Sequence, residues 1–165
     1  MAAQRASLIP SAAREDSELL IAAGGAGGYY EYNSFANASV DEWAHRSFSI
    51  KENNMDIRSG GAADHAGGGA GYLKNGETCS GLAPAKSFRH GLKGGIKEGV
   101  SGGFGGGGAA KWCAGGGGYT GGHAGSAQFG GGGGSFVDQK CTQNSKRLSL
   151  GWSGNGKVFI TKLPI

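Results

Sequence analysis

The chain has 165 residues, the size of one domain and too short for two ordinary ones. Glycine supplies 37 of them, about three times the roughly 7% of average proteins, while Leu, Ile, Val and Phe together supply 27, too few for an ordinary enzyme core. Collagen is excluded because glycine does not recur strictly every third residue, no run is long and apolar enough for a membrane helix, and the net charge of +4 is mild.

Residues 1–18 mix Ala, Ser and charge and read as a poorly ordered leader without the apolar core of a signal peptide. The chain is then either cytoplasmic or a fragment whose export signal lies upstream. Leu19-Leu20-Ile21-Ala22-Ala23 is a short apolar run closed by Gly24, the pattern of a buried strand. Residues 29–58 scatter Tyr29, Tyr30, Tyr32, Phe35, Trp43 and Phe48 among polar residues, and Ser47 to Ile50 alternates as a strand does. Asn37-Ala38-Ser39 is a glycosylation sequon, with meaning only in an exported chain.

Glycine takes over at Gly60-Gly61 and Gly67-Gly68-Gly69 and culminates in residues 102–134, which hold a single charge, Lys111. Interior glycines cost roughly 0.5–1 kcal/mol each in a helix or strand, so neither is expected there. The interleaved Phe104, Trp112, Tyr119 and Phe129 argue against a flexible Gly/Ser linker. The ordered alternative is a lattice of polyproline II-like glycine strands, close enough without side chains for amides to meet neighbouring carbonyls. Its conformational entropy cost, on the order of 1–2 kcal/mol per residue, calls for a cross-link or an apolar scaffold. Cys79, Cys113 and Cys141 allow three intrachain pairings. A Cys79–Cys113 bond would close a loop around glycine strands and stabilise by about 3–4 kcal/mol on the chain-entropy model. Scaffold strands are offered by Leu19–Ala23 and by Lys157-Val158-Phe159-Ile160-Thr161-Lys162-Leu163.

Several motifs point to chemistry that the sequence does not sustain. Gly151-Trp152-Ser153-Gly154-Asn155-Gly156-Lys157 matches the start of a P-loop, but Val158 stands where Mg²⁺ needs a hydroxyl and a strand pattern follows. The pattern GxGxxG at Gly103–Gly108 is trivial in a glycine tract. Cys79, Cys113, His123 and Cys141 lack zinc-ligand spacing, and His45, His65, His90 and His123 have no nucleophile at a revealing distance in sequence. Neither a catalytic residue nor a cofactor nor a metal site is expected. Without repeated Arg-Gly-Gly, a nucleic-acid partner is not expected either.

Leu20-Ile21-Ala22-Ala23-Gly24-Gly25-Ala26-Gly27-Gly28-Tyr29, then Ser59-Gly60-Gly61 and Gly67-Gly68-Gly69, then Gly102-Gly103-Phe104-Gly105-Gly106-Gly107-Gly108, Cys113, Gly115-Gly116-Gly117-Gly118-Tyr119-Thr120-Gly121-Gly122 and Ser135-Phe136-Val137 form an ordered series. It resembles the glycine-rich extracellular domain of the anaplastic lymphoma kinase and leukocyte tyrosine kinase receptors. Gly154-Asn155-Gly156-Lys157-Val158-Phe159-Ile160 is similar to that family's closing turn and strand. The resemblance spans about residues 19–164. It implies a mostly β and irregular fold: a polyglycine II helix bundle packed on, and inserted into, a partial β-sandwich like that of tumour necrosis factor. Residues 1–18 would then be a leader and 19–165 the glycine-rich domain, with a polyglycine core over about 60–134. Gly103, Gly105, Gly106, Gly107, Gly116, Gly117 and Gly121 are the expected structural glycines, and Cys79 and Cys113 the disulfide that the resemblance implies. Cys141 has no place in the family pattern.

The family binds a small basic cytokine and dimerises, so the resemblance implies a non-catalytic, extracellular or cell-surface domain with a protein ligand and ligand-induced dimerisation. Any kinase would belong to a parent receptor. Family acidic positions are met here by Lys157 and Lys162, so the expected partner is acidic. Arg147, Trp152, Lys157 and Lys162 are the candidate contact residues, since bare glycine backbone cannot discriminate partners. Basic residues also concentrate between Lys74 and Lys97. The alternative is a structural or adhesive surface protein that uses glycine packing without a cytokine.

Overall fold

The computed structural model describes residues 19–28, 36–44, 57–63, 66–79, 81, 83–97, 99–103, 105–110, 113–125 and 130–139. The apolar run near the start forms strand β1 (Ile21–Ala22). Two further strands are β2 (Ile96–Lys97) and β3 (Val100–Ser101), and β4 is Phe136–Val137. β1 pairs antiparallel with β4, with Ile21 opposite Val137 and Ala22 opposite Phe136. Beyond the pair, Asp138 N–H donates to the Leu20 carbonyl at 2.8 Å. Ser135 ends the ladder and knots three segments: its hydroxyl accepts from Gly24 N–H at 3.0 Å and donates to the Ser39 carbonyl at 2.7 Å. Its own N–H donates to Asp41 O at 2.7 Å.

Between these ends the glycine segments hold one another through backbone hydrogen bonds. Residues 59–62 run parallel to 121–124, with Gly121 N–H donating to Ser59 O and Ala124 N–H to Ala62 O, both at 2.9 Å. Residues 67–70 run parallel to 115–118 through Gly115 N–H to Gly67 O (3.0 Å) and Gly118 N–H to Ala70 O (3.1 Å). Residues 25–28 lie antiparallel both to 114–117 (Gly25 N–H to Gly117 O, Gly28 N–H to Ala114 O, 2.7 Å each) and to 130–133 (Gly130 N–H to Gly28 O, 2.8 Å; Gly133 N–H to Gly25 O, 2.9 Å). Within each pair the bonds recur every third residue, so the intervening amides go to other neighbours. Gly116 N–H, for example, donates to Gly131 O at 2.9 Å. Buried amides are satisfied by this exchange, as burial requires. Glycine is obligatory where it brings segments this close. A Cβ on Gly116 would fall on the Gly25 carbonyl oxygen, well inside the 3.0 Å that real Cβ atoms respect.

These findings correct the expected fold class. Among the described residues there is no polyglycine II helix bundle and no sandwich like that of tumour necrosis factor. They hold two two-stranded antiparallel sheets, β1–β4 and β2–β3, and a 3-10 turn at Phe88–His90. Two-residue strands present too little regular face to stack as layers, because the glycines around them carry no side chains to fill the space between sheets. The expected strands at Ser47–Ile50 and Lys157–Leu163 lie outside the described residues, as does the expected leader.

The core is correspondingly small-grained. Ala66, Cys113 and Ala124 are buried together, with Ala110 packed against them. The larger apolar contribution is a ladder of four rings. Phe88 meets Tyr72 at 5.2 Å between centroids, Tyr72 meets Tyr119 at 6.1 Å, and Tyr119 stacks on Phe136 at 4.4 Å. Such pairs contribute roughly 0.5–1.5 kcal/mol each beyond area burial. The ladder carries β4 across to the 3-10 turn and so joins the glycine framework to a peripheral ribbon.

That ribbon has three antiparallel runs. Ala83 and Ile96 exchange both backbone hydrogen bonds, at 2.9 and 3.1 Å, and the same register carries Lys86 N–H to Lys93 O at 2.7 Å. On the other side Ile96 lies opposite Ser101 and Lys97 opposite Val100. This second register continues through Gly102 N–H to Gly95 O (2.8 Å) and Gly105 N–H to Leu92 O (3.1 Å). The first loop turns at Gly91 and Leu92, both with positive φ, and the second at Gly99, φ +83°.

Candidate binding surfaces

The seven expected structural glycines fall in two places. Gly116, Gly117 and Gly121 sit inside the framework: Gly117 O accepts from Gly25 N–H, and a Cβ on Gly121 would fall on the Gly69 carbonyl. Gly103, Gly105, Gly106 and Gly107 form the turn by which the ribbon re-enters it. Gly107 N–H closes on Gly103 O at 3.1 Å, Gly107 O accepts from Gly95 N–H at 2.9 Å, and Gly106 O accepts from Ala70 N–H at 2.7 Å. At Gly106 φ is +86° and a Cβ would meet that of Ala70 at 2.8 Å, so conformation and space both demand glycine.

In place of the expected disulfide, Cys79 and Cys113 are free thiols, Cys79 half-buried and Cys113 buried. The Cys113 thiol lies 3.3 Å from the Gly125 carbonyl, to which it donates. Burial pushes its pKa up, because desolvation disfavours the thiolate. Cys141 and the candidate contacts Arg147, Trp152, Lys157 and Lys162 lie outside the described residues. Asn37 is half-buried, and its carbonyl is close against Gly132. Ser39 of the sequon is fastened at both ends, by Ser39 N–H to Gly133 O at 2.9 Å and by the Ser135 hydroxyl on its carbonyl.

The described surface with distinctive chemistry is the ribbon. From Thr78 to Lys97 the sequence holds no carboxylate and four permanent cations, Lys86, Arg89, Lys93 and Lys97, together with His90. The fold gathers them. Lys86 stands opposite Lys93 across a hydrogen-bonded pair, and the 3-10 turn exposes Arg89 and His90 at the tip. The tip is braced from inside. Ser87, fully buried, takes its N–H to the Asn75 side-chain carbonyl at 2.9 Å, and its hydroxyl meets His90 Nδ1 at 2.8 Å. Phe88 is buried at the end of the ring ladder. The lysines are concentrated in the sequence, but the ribbon registers leave no two-residue alternation that would mark their arrangement.

A second knot lies near Tyr119. Thr120, fully buried, accepts Arg58 N–H on its hydroxyl at 3.0 Å, at a residue held at φ 71°. Burial raises the Tyr119 phenol pKa, opposed by Arg58 and reinforced by Glu42 and Tyr72. Among the described residues no group of three or more His, Cys, Asp or Glu is placed to hold a metal ion. No helix among them is long and apolar enough to cross a membrane. Compared with known proteins, the chain matches no family model, no curated protein and no solved structure.

Proposed function

We propose that the chain is a non-catalytic, glycine-rich ligand-binding domain of extracellular or cell-surface type, a relative of the receptor ectodomains that its sequence resembles. The observation that carries this reading is a division of labour. The glycine framework is bonded backbone to backbone and buries few large side chains, while none of the described lysines and arginines is buried. A framework of that kind holds surfaces in place. The excess of cations favours an acidic protein ligand, whose association long-range attraction would steer.

The test presents the immobilised full chain with acidic and basic proteins of matched size at low and moderate salt. Binding of the acidic ligand, weakened by salt, is the expected outcome. Equal binding of the basic ligand would sink the reading. Self-association without ligand, seen by sedimentation, would favour the structural or adhesive alternative, for which the exposed Leu20, Ile21 and Trp43 are the specific observation.

A further inference from the structure

We infer that the basic ribbon between Ala83 and Ser101 is a docking surface for an acidic polypeptide segment that also carries apolar side chains. This rests on the ligand-binding reading above and assigns it a surface. Three observations meet there. First, charge of one sign is held together by the backbone. Lys86 N–H donates to the Lys93 carbonyl at 2.7 Å, so the backbone holds the two lysines as neighbours, and like charges repel. A fold that keeps such a pair, with exposed Arg89 and His90 beyond it and Lys97 on the continuing strand, gains when carboxylates lie between them. Secondly, the cations outnumber the carboxylates, since Ala83 to Ser101 holds Lys86, Arg89, Lys93 and Lys97 against Glu98 alone. Thirdly, the same ribbon exposes apolar groups: Ile96 is 52% and Val100 50% exposed, beside Lys97.

The last observation selects the partner. A sulfated glycan or a nucleic-acid backbone satisfies the lysines but offers nothing comparable to aliphatic side chains. Single-stranded nucleic acid would also want aromatic faces for its bases. Among the described residues of the ribbon the one phenyl ring, Phe88, is buried against Tyr72. A polypeptide with interspersed Glu or Asp and Val or Leu matches both features. β3 is the end strand of its two-stranded sheet, so an extended segment has a strand to lie along.

The experiment uses the full chain and a fluorescent synthetic peptide of alternating Glu and Val, read by anisotropy over a salt series. Polyglutamate, heparin and a single-stranded oligonucleotide serve as competitors. The double reversal Lys86→Glu/Lys93→Glu is expected to weaken peptide binding about tenfold or more and to flatten its salt dependence. Ile96→Ser/Val100→Ser should weaken it several-fold and leave the salt slope unchanged. Each variant is accepted only with wild-type amide-exchange protection. Two further single reversals, at Arg89 and at Lys97, serve if the double variant does not fold. Peptide binding untouched by all the ribbon reversals but lost in Lys157→Glu/Lys162→Glu overturns the inference and leaves the ligand-binding reading standing. Heparin or oligonucleotide displacing the peptide more strongly than polyglutamate, with no effect of Ile96→Ser/Val100→Ser, overturns the choice of partner. No binding of any acidic polypeptide by the wild-type chain overturns both.

Discussion

The glycine framework and the basic ribbon are both built from backbone hydrogen bonds, yet they use glycine in opposite ways. In the framework, glycine is needed for what it lacks. Gly116, Gly117 and Gly121 each stand where a Cβ would fall on a neighbouring carbonyl oxygen. In the ribbon, Gly91 and Gly99 have nothing within 4 Å of a Cβ and are there for their positive φ. Proximity is unforgiving and conformation is not, so the two regions should tolerate change very differently.

Gly116→Val tests the difference at its sharpest. The branched side chain collides with Gly25 backbone that cannot move without breaking bonds to both 117 and 133, and the loss should be at least about 3 kcal/mol. Thermal denaturation would show a lost or strongly lowered transition, and amide exchange a loss of protection across 114–134. A stable, well-protected Gly116→Val protein would mean that the framework is looser than its hydrogen bonds imply. Thr120→Val is the next step down. It preserves shape and leaves Arg58 N–H without its acceptor, for about 1–3 kcal/mol where the group is cut off from water. Gly99→Ala meets no atoms and should cost only about 1 kcal/mol, the penalty of a left-handed alanine. If Gly99→Ala proved as damaging as Gly116→Val, the contrast would be gone.

The smallest effect concerns pH. Burial raises the pKa of both the Cys113 thiol and the Tyr119 phenol. The unfolded chain therefore releases these protons at lower pH than the folded one. Their contribution is complete below the ordinary thiol value near 9.0 and declines as pH rises through the folded values. Melting temperature should fall gradually above pH 9, and Cys113→Ala should blunt part of that fall. In the folded protein a water-soluble thiol reagent should label Cys79 readily and Cys113 only on unfolding. Rapid labelling of Cys113 would place it at the surface.

What the sequence made legible follows from the same contrast. The apolar run Leu19–Ala23 contains β1, though with Leu20 and Ile21 exposed it is not the buried strand expected, and the Ser135-Phe136-Val137 segment named through the resemblance contains β4. Their pairing with each other depends on Ser135 bonding Gly24 across more than a hundred residues, which no local pattern encodes. The aromatics of the tract argue for order, and Tyr119 does stack on Phe136 and Tyr72. The architecture inferred from resemblance fails where the strands are only two residues long. The ribbon escaped because Lys86-Ser87-Phe88-Arg89 and Gly94-Gly95-Ile96-Lys97 alternate in neither polarity nor size. The lysine cluster was visible, but its register was not. For the disulfide, the thiol count allowed three pairings, and the structure leaves Cys113 bonded to a carbonyl.

The ring ladder has a consequence for how the protein responds to temperature. It gathers much of the aromatic surface buried among the described residues, with alanine and glycine making up most of the remainder. Unfolding therefore hydrates peptide groups in plenty and hydrocarbon sparingly. Apolar hydration raises the heat capacity and peptide hydration lowers it, so the increment should fall well below the usual 12–15 cal/mol/K per residue, roughly. A stability curve with so little curvature has a broad, shallow maximum. Cooling would then weaken this protein much less than one whose interior is hydrocarbon.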